Sequence, residues 1–314
     1  MPATEKTSAT FLNNNAGIEF GEVPTYVGSA SDQSKVIIAS YNIRYAVGPY
    51  LISSGLWRRL GYNPPRPRAK RVADNIATAA SAFTEGILLP AVDILALQEA
   101  DKQTGRAGGH HVARELAAQL KMNWVHAPAG IPRGVPPKTR QWWLDFEEQI
   151  ALNDSGDTGV ALLSRFPLEE VTRIDLPWHE CAWRPRLAVG ATVSVGPHKL
   201  QLFNAHIDPH AAPDGLLEQV EVMLDRADAA TGPTVVLGDF NTLSKQKCID
   251  TRRLLESRGY TTPFPTGIAT WRTTLLRMHA DWIFVRNAEI TRWGVARPLD
   301  VSDHWPVWAE IQMP

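Results

Sequence analysis

Three observations predict an α/β protein. Short apolar runs of strand length alternate along the chain with stretches of helical period. The β-branched run Val235-Val236-Leu237 shows no polar alternation, as suits a strand covered on both faces. Like several of its fellows, it stops abruptly at a carboxylate, amide or histidine, so buried strands end in polar tips. With 314 residues, 44% apolar and 21% charged, the chain can bury a substantial core, in one large domain or two small ones.

Composition excludes several classes. The apolar stretch from Gly86 to Leu97 is broken by Pro90 and Asp93, and no run reaches the length of a membrane span. Residues 1–35 are polar, lack the pattern of a signal peptide, and read as a flexible or surface-draped tail ahead of a single domain over 36–314. The cytoplasm is therefore the expected location. Cys181 and Cys248 are too few for a disulfide framework and wrongly spaced for a cysteine zinc site, which agrees with a reducing compartment. A net charge of −1 gives no global field for nucleic acid or anionic membrane. Basic residues do gather locally, as Arg58, Arg59, Arg66, Arg68, Lys70 and Arg71, and again as Arg133, Lys138 and Arg140. Such runs are ordinarily solvated faces, although Trp57, Trp142 and Trp143 lie among them.

In chain order, the first core strand covers residues 35–44 and carries Asn42 and Arg44 at its tip. An asparagine there is, taken singly, more often a turn former than a site residue. An insertion at 48–67, rich in Gly, Pro, Trp and Arg, reads as a lid or binding loop. Val72, Ile76, Ala80, Phe83 and Ile87 mark the inner face of a helix over 69–89. The next strand runs from Val92 into Glu99, and a helix over 110–121 follows, with His110 and His111 read as surface or N-terminal residues. Trp124-Val125-His126 begins another strand, and residues 128–157 form a second insertion with Trp142 and Trp143. After a strand at 159–165, segments 187–195 and 199–206 make a hairpin closed by Gly196-Pro197. Asn204, His206 and Asp208 alternate with apolar neighbours and so share one face. A helix over 215–230 leads to Thr234–Leu237, stopped by Gly238, Asp239 and Asn241. A helix over 249–258, a strand opening at Asp281 and a final strand with Asp303 and His304 at its mouth complete the chain. No Gly-rich phosphate loop of a nucleotide-binding fold occurs.

Asn42, Glu99, His206, Asp239, Asn241, Asp281, Asp303 and His304 thus all fall at strand termini, where an open sheet collects ligands. Carboxylates beside neutral amides, without a thiolate, favour Mg²⁺, with Mn²⁺ as a substitute, over zinc. In this order the pieces Ser40-Tyr41-Asn42-Ile43, Leu97-Gln98-Glu99, Leu163-Ser164-Arg165-Phe166-Pro167, Asn204-Ala205-His206-Ile207-Asp208, Gly238-Asp239-Phe240-Asn241, Asp281-Trp282-Ile283-Phe284 and Ser302-Asp303-His304-Trp305-Pro306-Val307 resemble the endonuclease/exonuclease/phosphatase superfamily. The resemblance implies a four-layer α/β sandwich, two packed mixed β-sheets flanked by helices, as in deoxyribonuclease I. It also implies Mg²⁺-dependent hydrolysis of a phosphoester, most readily a phosphodiester. Position by position, Glu99 stands as principal metal ligand with Asn42 and Asp303, and Asp239 activates or orients water that Asn241 helps to hold. His206 and His304 contact phosphoryl oxygens, Asp281 orients and charges His304, and Arg44 and Arg186 contact substrate. The presence of His206 is more similar to the deoxyribonuclease, sphingomyelinase and deadenylase members than to AP endonucleases. The substrate is then a nucleic acid, a phospholipid headgroup or a small phosphodiester; a nuclease, a sphingomyelinase-type enzyme and a non-catalytic phosphate-binding module are the alternatives. No protein partner is implied.

Overall fold

The apolar runs become the inner strands of two sheets. The computed structural model describes residues 17–23, 34–49, 67–131, 150–151, 153–178, 184–273 and 275–314. The central parts of both expected insertions, with Trp57, Arg58, Arg59, Arg66, Arg133, Lys138, Arg140, Trp142 and Trp143, lie outside the described residues, as does Cys181. Fourteen strands are described: β1 Glu19–Gly21, β2 Lys35–Asn42, β3 Ile94–Gln98, β4 Asn123–Pro128, β5 Gly159–Ser164, β6 Glu169–Asp175, β7 Leu187–Val195, β8 His198–His206, β9 Thr234–Asp239, β10 Trp271–Arg272, β11 Arg277–Met278, β12 Asp281–Arg286, β13 Glu289–Val295 and β14 Val307–Gln312. The helices are α1 Arg68–Thr84, α2 Val112–Leu120, α3 Pro213–Ala227 and α4 Lys245–Ser257.

One sheet runs β1-β4-β5-β3-β2-β14-β13 and the other β12-β9-β8-β7-β6, while β10 and β11 form a separate hairpin. Each sheet holds one parallel pair, β2 with β3 and β8 with β9, among antiparallel neighbours. Alternation along β2 and β3 explains their unbroken apolar character. Val36, Ile38, Ile94 and Ala96 join the core between the sheets and over α3 and α4, whereas Ala39, Tyr41, Leu95 and Leu97 join the core under α1 and α2. The order is therefore helices, sheet, sheet, helices, the four-layer sandwich that the motifs implied.

The two sheets are also pinned by a buried polar link. Asn204 on β8 donates from Nδ2 to the carbonyls of Leu97 and Ala161, both at 2.9 Å, and accepts from Gln98 Nε2 at 2.6 Å. Every partner lies in the opposite sheet. Asn204 therefore has a cross-sheet role that its place beside His206 did not disclose.

The structure adds to and departs from the sequence expectations in several respects. Helix α1 ends at Thr84, so Ile87 lies beyond it and is exposed, while Val72, Ile76, Ala80 and Phe83 are buried as expected. Strands β6 and β13 were not foreseen, because these edge strands are polar and partly exposed. Within the expected tail, residues 19–21 pair with β4 as an edge strand. His111 stands at the N-terminus of α2, one of the two positions expected for it, and is buried there as the N-cap, where its Nδ1 accepts from the Arg114 amide.

Candidate active site

Because the pairs β2/β3 and β8/β9 are parallel, the last residues of all four strands emerge side by side. Register places Asn42 beside Gln98, just before Glu99, and His206 beside Asp239. The antiparallel strand β12 begins where β9 ends, so Asp281 lies opposite Asp239. Strand β14 pairs Val307 with Ser40, which brings the preceding Asp303 and His304 to the same end. Topology alone gathers these residues.

Local backbone then aims them. Glu99 and Asn241 have φ of +52° and +50°, and Arg44, Tyr45 and Ala46 form a left-handed turn at +45°, +42° and +57°. Non-glycine residues adopt such angles at a cost of about 1 kcal/mol or more each, and they cluster where a site dictates side-chain direction. The Tyr45 amide bonds to the Glu99 carbonyl at 2.9 Å, coupling the two bends. Gly238 has φ of +140°, and a Cβ there would stand 2.0 Å from the Ala205 carbonyl oxygen. Only glycine lets β8 and β9 approach closely enough to place Asp239 against His206.

Asp239 Oδ2 is the geometric centre. It accepts from Asn42 Nδ2 at 2.8 Å and lies 3.5 Å from His206 Nε2 and 3.8 Å from His304 Nε2. Its Oδ1 accepts the Asn241 amide at 2.9 Å, and Asn241 Nδ2 donates to the Ile207 carbonyl at 2.8 Å. His304 Nδ1 donates to Asp281 Oδ2 at 2.8 Å. Burial opposes charge on His304, but Asp281 and Asp239 outweigh it and raise the ring to about 10. Burial pushes Asp281 up to about 6, so at neutral pH the pair is a carboxylate and an imidazolium.

His206 behaves in the opposite way. Burial, with Arg186 and Arg184 adding to it, holds the ring well below the ordinary histidine range, and Arg186 Nη1 lies 2.9 Å from Nε2. His206 is thus held as a neutral ring and His304 as a charged one. Arg186 meets His206, and Arg44 is taken up by Asp303 at 3.2 Å. Asp303 also accepts from Trp271 Nε1 at 3.1 Å. Glu99 pairs with Arg184 at 3.3 Å and stands 3.9 Å from His206 Nε2. Asp208, which shares the strand face of His206, instead accepts the His210 amide in a turn.

Arg184 and Trp271 are the neighbours that sequence reading did not assign. Arg184 had a signal in the Arg-Pro-Arg run before β7, but which acid it meets depends on the path of the chain. His279 stacks on Trp282 with ring centroids 3.7 Å apart and bonds to the Asp281 carbonyl; burial keeps it at about 3, so it braces Asp281 as a neutral ring.

The donors expected for a cation are Glu99, Asn42 and Asp303, two carboxylates and an amide. This all-oxygen set fits a hard dication such as Mg²⁺ or Mn²⁺. Asp239, Asp281 and His304 also bring ligand atoms within 4.8 Å of one another, but the charged His304–Asp281 hydrogen bond occupies the third partner.

The model of the Endonuclease/Exonuclease/phosphatase family matches residues 39–304. An endonuclease/exonuclease/phosphatase from Beutenbergia cavernae DSM 12333 superposes with a TM-score of 0.62 at 15% identity, covering 90% of this chain and 72% of that one. One from Bacteroides vulgatus gives 0.58 at 16%, covering 90% and 100%. The human Nocturnin catalytic domain, solved with a bound sulfate anion, gives 0.57 at 14%, covering 95% and 98%. At such identities the likenesses establish the fold. No curated protein matches the chain.

Proposed function

This chain belongs to the endonuclease/exonuclease/phosphatase family, a family of metal-dependent phosphoesterases, and on that premise we propose that it hydrolyses a phosphodiester with Mg²⁺ held at Glu99. Asn42 and Asp303 complete the proposed ligand set, and Mn²⁺ serves as a substitute. The observation that carries the reading is the position of Asp239 Oδ2, a buried acceptor flanked by Asn42, neutral His206 and charged His304.

Asp239 accepts a proton from the attacking water, which Asn241 helps to orient. His304, held charged by Asp281, faces the phosphoryl oxygens, and Arg186 adds positive charge beside neutral His206. These groups favour the transition state because negative charge grows there on the phosphoryl and leaving oxygens. When bound, the dication supplies further neutralisation of that charge. Arg44, expected to contact substrate, also holds Asp303 in place through its ion pair. Cys248 is a free, buried thiol, in keeping with a cytoplasmic setting.

A lipid-headgroup diester is the second reading, favoured by the β10–β11 hairpin. Its Leu275 and Leu276 are 91% and 48% exposed, while Trp271 at its base touches Asp303. Among the described residues, no helix is long and apolar enough to cross a membrane. A panel of DNA, RNA, sphingomyelin vesicles, inositol phosphates and bis-p-nitrophenyl phosphate, each with Mg²⁺ and with EDTA, tests both readings. Full turnover in EDTA after exhaustive dialysis overturns the metal requirement, and no turnover of any diester overturns the first reading.

A further inference from the structure

We propose that Glu19, His111 and His126 form a second metal site, selective for a first-row transition dication of the zinc type. The three come from separate elements. Glu19 lies on β1 directly opposite His126 on β4, so both side chains stand on one face of the sheet. His111 caps α2 with its ring centroid 5.2 Å from that of His126. Each residue offers a donor atom within 4.8 Å of the other two, and Glu19 Oε2 is already 3.1 Å from His111 Nε2. Tetrahedral zinc with bonds of about 2.0 Å sets its ligands about 3.3 Å apart, so the remaining donor must close by up to about 1.5 Å.

His126 points most directly to a ligand. It is fully buried, and its Nε2 lies 2.7 Å from the Ala100 carbonyl, which fixes that nitrogen as the donor. Its Nδ1 has no hydrogen-bond partner. A buried, unpaired ring nitrogen is otherwise a cost without a return. Metal-bound histidines characteristically donate their other ring nitrogen to a carbonyl or carboxylate, the arrangement present here. Burial also pushes His126 down to about 4 and lowers His111, so both rings are neutral at physiological pH, the form that binds metal. Two imidazoles and one carboxylate suit zinc better than Mg²⁺.

Two features oppose binding. Lys102 pairs with the other oxygen of Glu19, and the Arg114 amide bonds to His111 Nδ1 at 3.3 Å, a contact that must yield when Nε2 takes a metal. Binding would tie β1, β4 and the start of α2 to the loop that follows Glu99, because His126 holds Ala100.

The test uses full-length protein carrying Glu99→Gln, which weakens the strand-end cation site, with Mg²⁺ in excess. Metal analysis after dialysis against zinc should find one retained equivalent, and Co²⁺ should give the intense visible absorption of a tetrahedral site. Glu19→Gln and His126→Gln should each weaken zinc binding at least about tenfold. Lys102→Met should tighten it, whereas a mere ion-pair cluster predicts only lost stability. Glu19 is partly exposed on an edge strand, so Glu19→Gln decides the matter even where His126→Gln fails to fold. No zinc above background, or affinity unchanged in Glu19→Gln, overturns the proposal.

Discussion

Replacing Asp281 by Asn probes the charged pair while keeping its shape. The substitution removes the charge nearest His304, 2.8 Å from Nδ1. In the native chain the pair holds its proton on the imidazole between about 6, where Asp281 protonates, and about 10, where His304 deprotonates. The imidazolium is thus lost as pH rises through the upper value, and the carboxylate charge is lost as pH falls through the lower. Without Asp281, burial is opposed chiefly by Asp239 at 3.8 Å and by Asp303. The ring then returns to its ordinary value of about 6.5 or lower. At pH 8 the charged fraction falls from near unity to about 3%, which lowers kcat roughly thirtyfold if the imidazolium acts in the transition state. The assay is the pH profile of kcat on bis-p-nitrophenyl phosphate for both proteins, with Mg²⁺ saturation checked at each pH. A bound dication depresses the imidazole in both proteins, so the displacement between the profiles is the quantity read. An alkaline limb that does not move, or near-normal kcat in the variant, refutes the pair as a catalytic unit.

Glu99→Gln should lower kcat about a hundredfold or more and raise the Mg²⁺ concentration needed, with an unchanged circular dichroism spectrum; a normal Mg²⁺ titration contradicts Glu99 as ligand. Asn204→Ala removes three cross-sheet hydrogen bonds and should cost about 3 kcal/mol in urea unfolding. A loss under about 1 kcal/mol means that water replaces the amide without penalty. Neutralising Arg66, Arg68, Arg133 and Arg140 together should raise KM for an anionic polymer or vesicle more than for a small diester, and equal effects assign these residues a structural role.

The inner strands were legible because burial on both faces demands continuous apolar residues, and their polar tips stood out against that background. Strands β6 and β13 were not, since an edge strand needs no such run: Glu289–Val295 includes Glu289, Thr291 and Arg292. Ile87 fitted the periodicity of α1, but the helix stops three residues earlier, and periodicity carries no stop signal of its own. Placing site residues at strand ends needed only the pattern. Distinguishing His206 from His304 needed the tertiary neighbours, because Arg186 approaches one ring and Asp281 the other. The partner of His111 was hidden for the same reason: Glu19, from the segment expected to be a tail, bonds to its ring.

The charge pattern of the site bears on why it is built as it is. Four carboxylates, Glu99, Asp239, Asp281 and Asp303, lie among four cations, Arg44, Arg184, Arg186 and His304, and all eight are buried. Buried ion pairs contribute little net stability, because desolvation offsets their attraction, and apolar residues of similar volume often do as well. The fold does not depend on them for cohesion, since two extensive apolar cores already join the sheets and helices. Strained backbone at Glu99, Asn241 and Arg44–Ala46 costs further stability at the same end of the molecule. Both expenditures become intelligible if the cluster is a preorganised field, with donors and acceptors already oriented before a phosphate arrives. On that view each arginine holds an acid or a ring in place, and the left-handed turns fix where those groups point. Loss of one arginine should therefore misplace its partner, lowering kcat more than it raises KM.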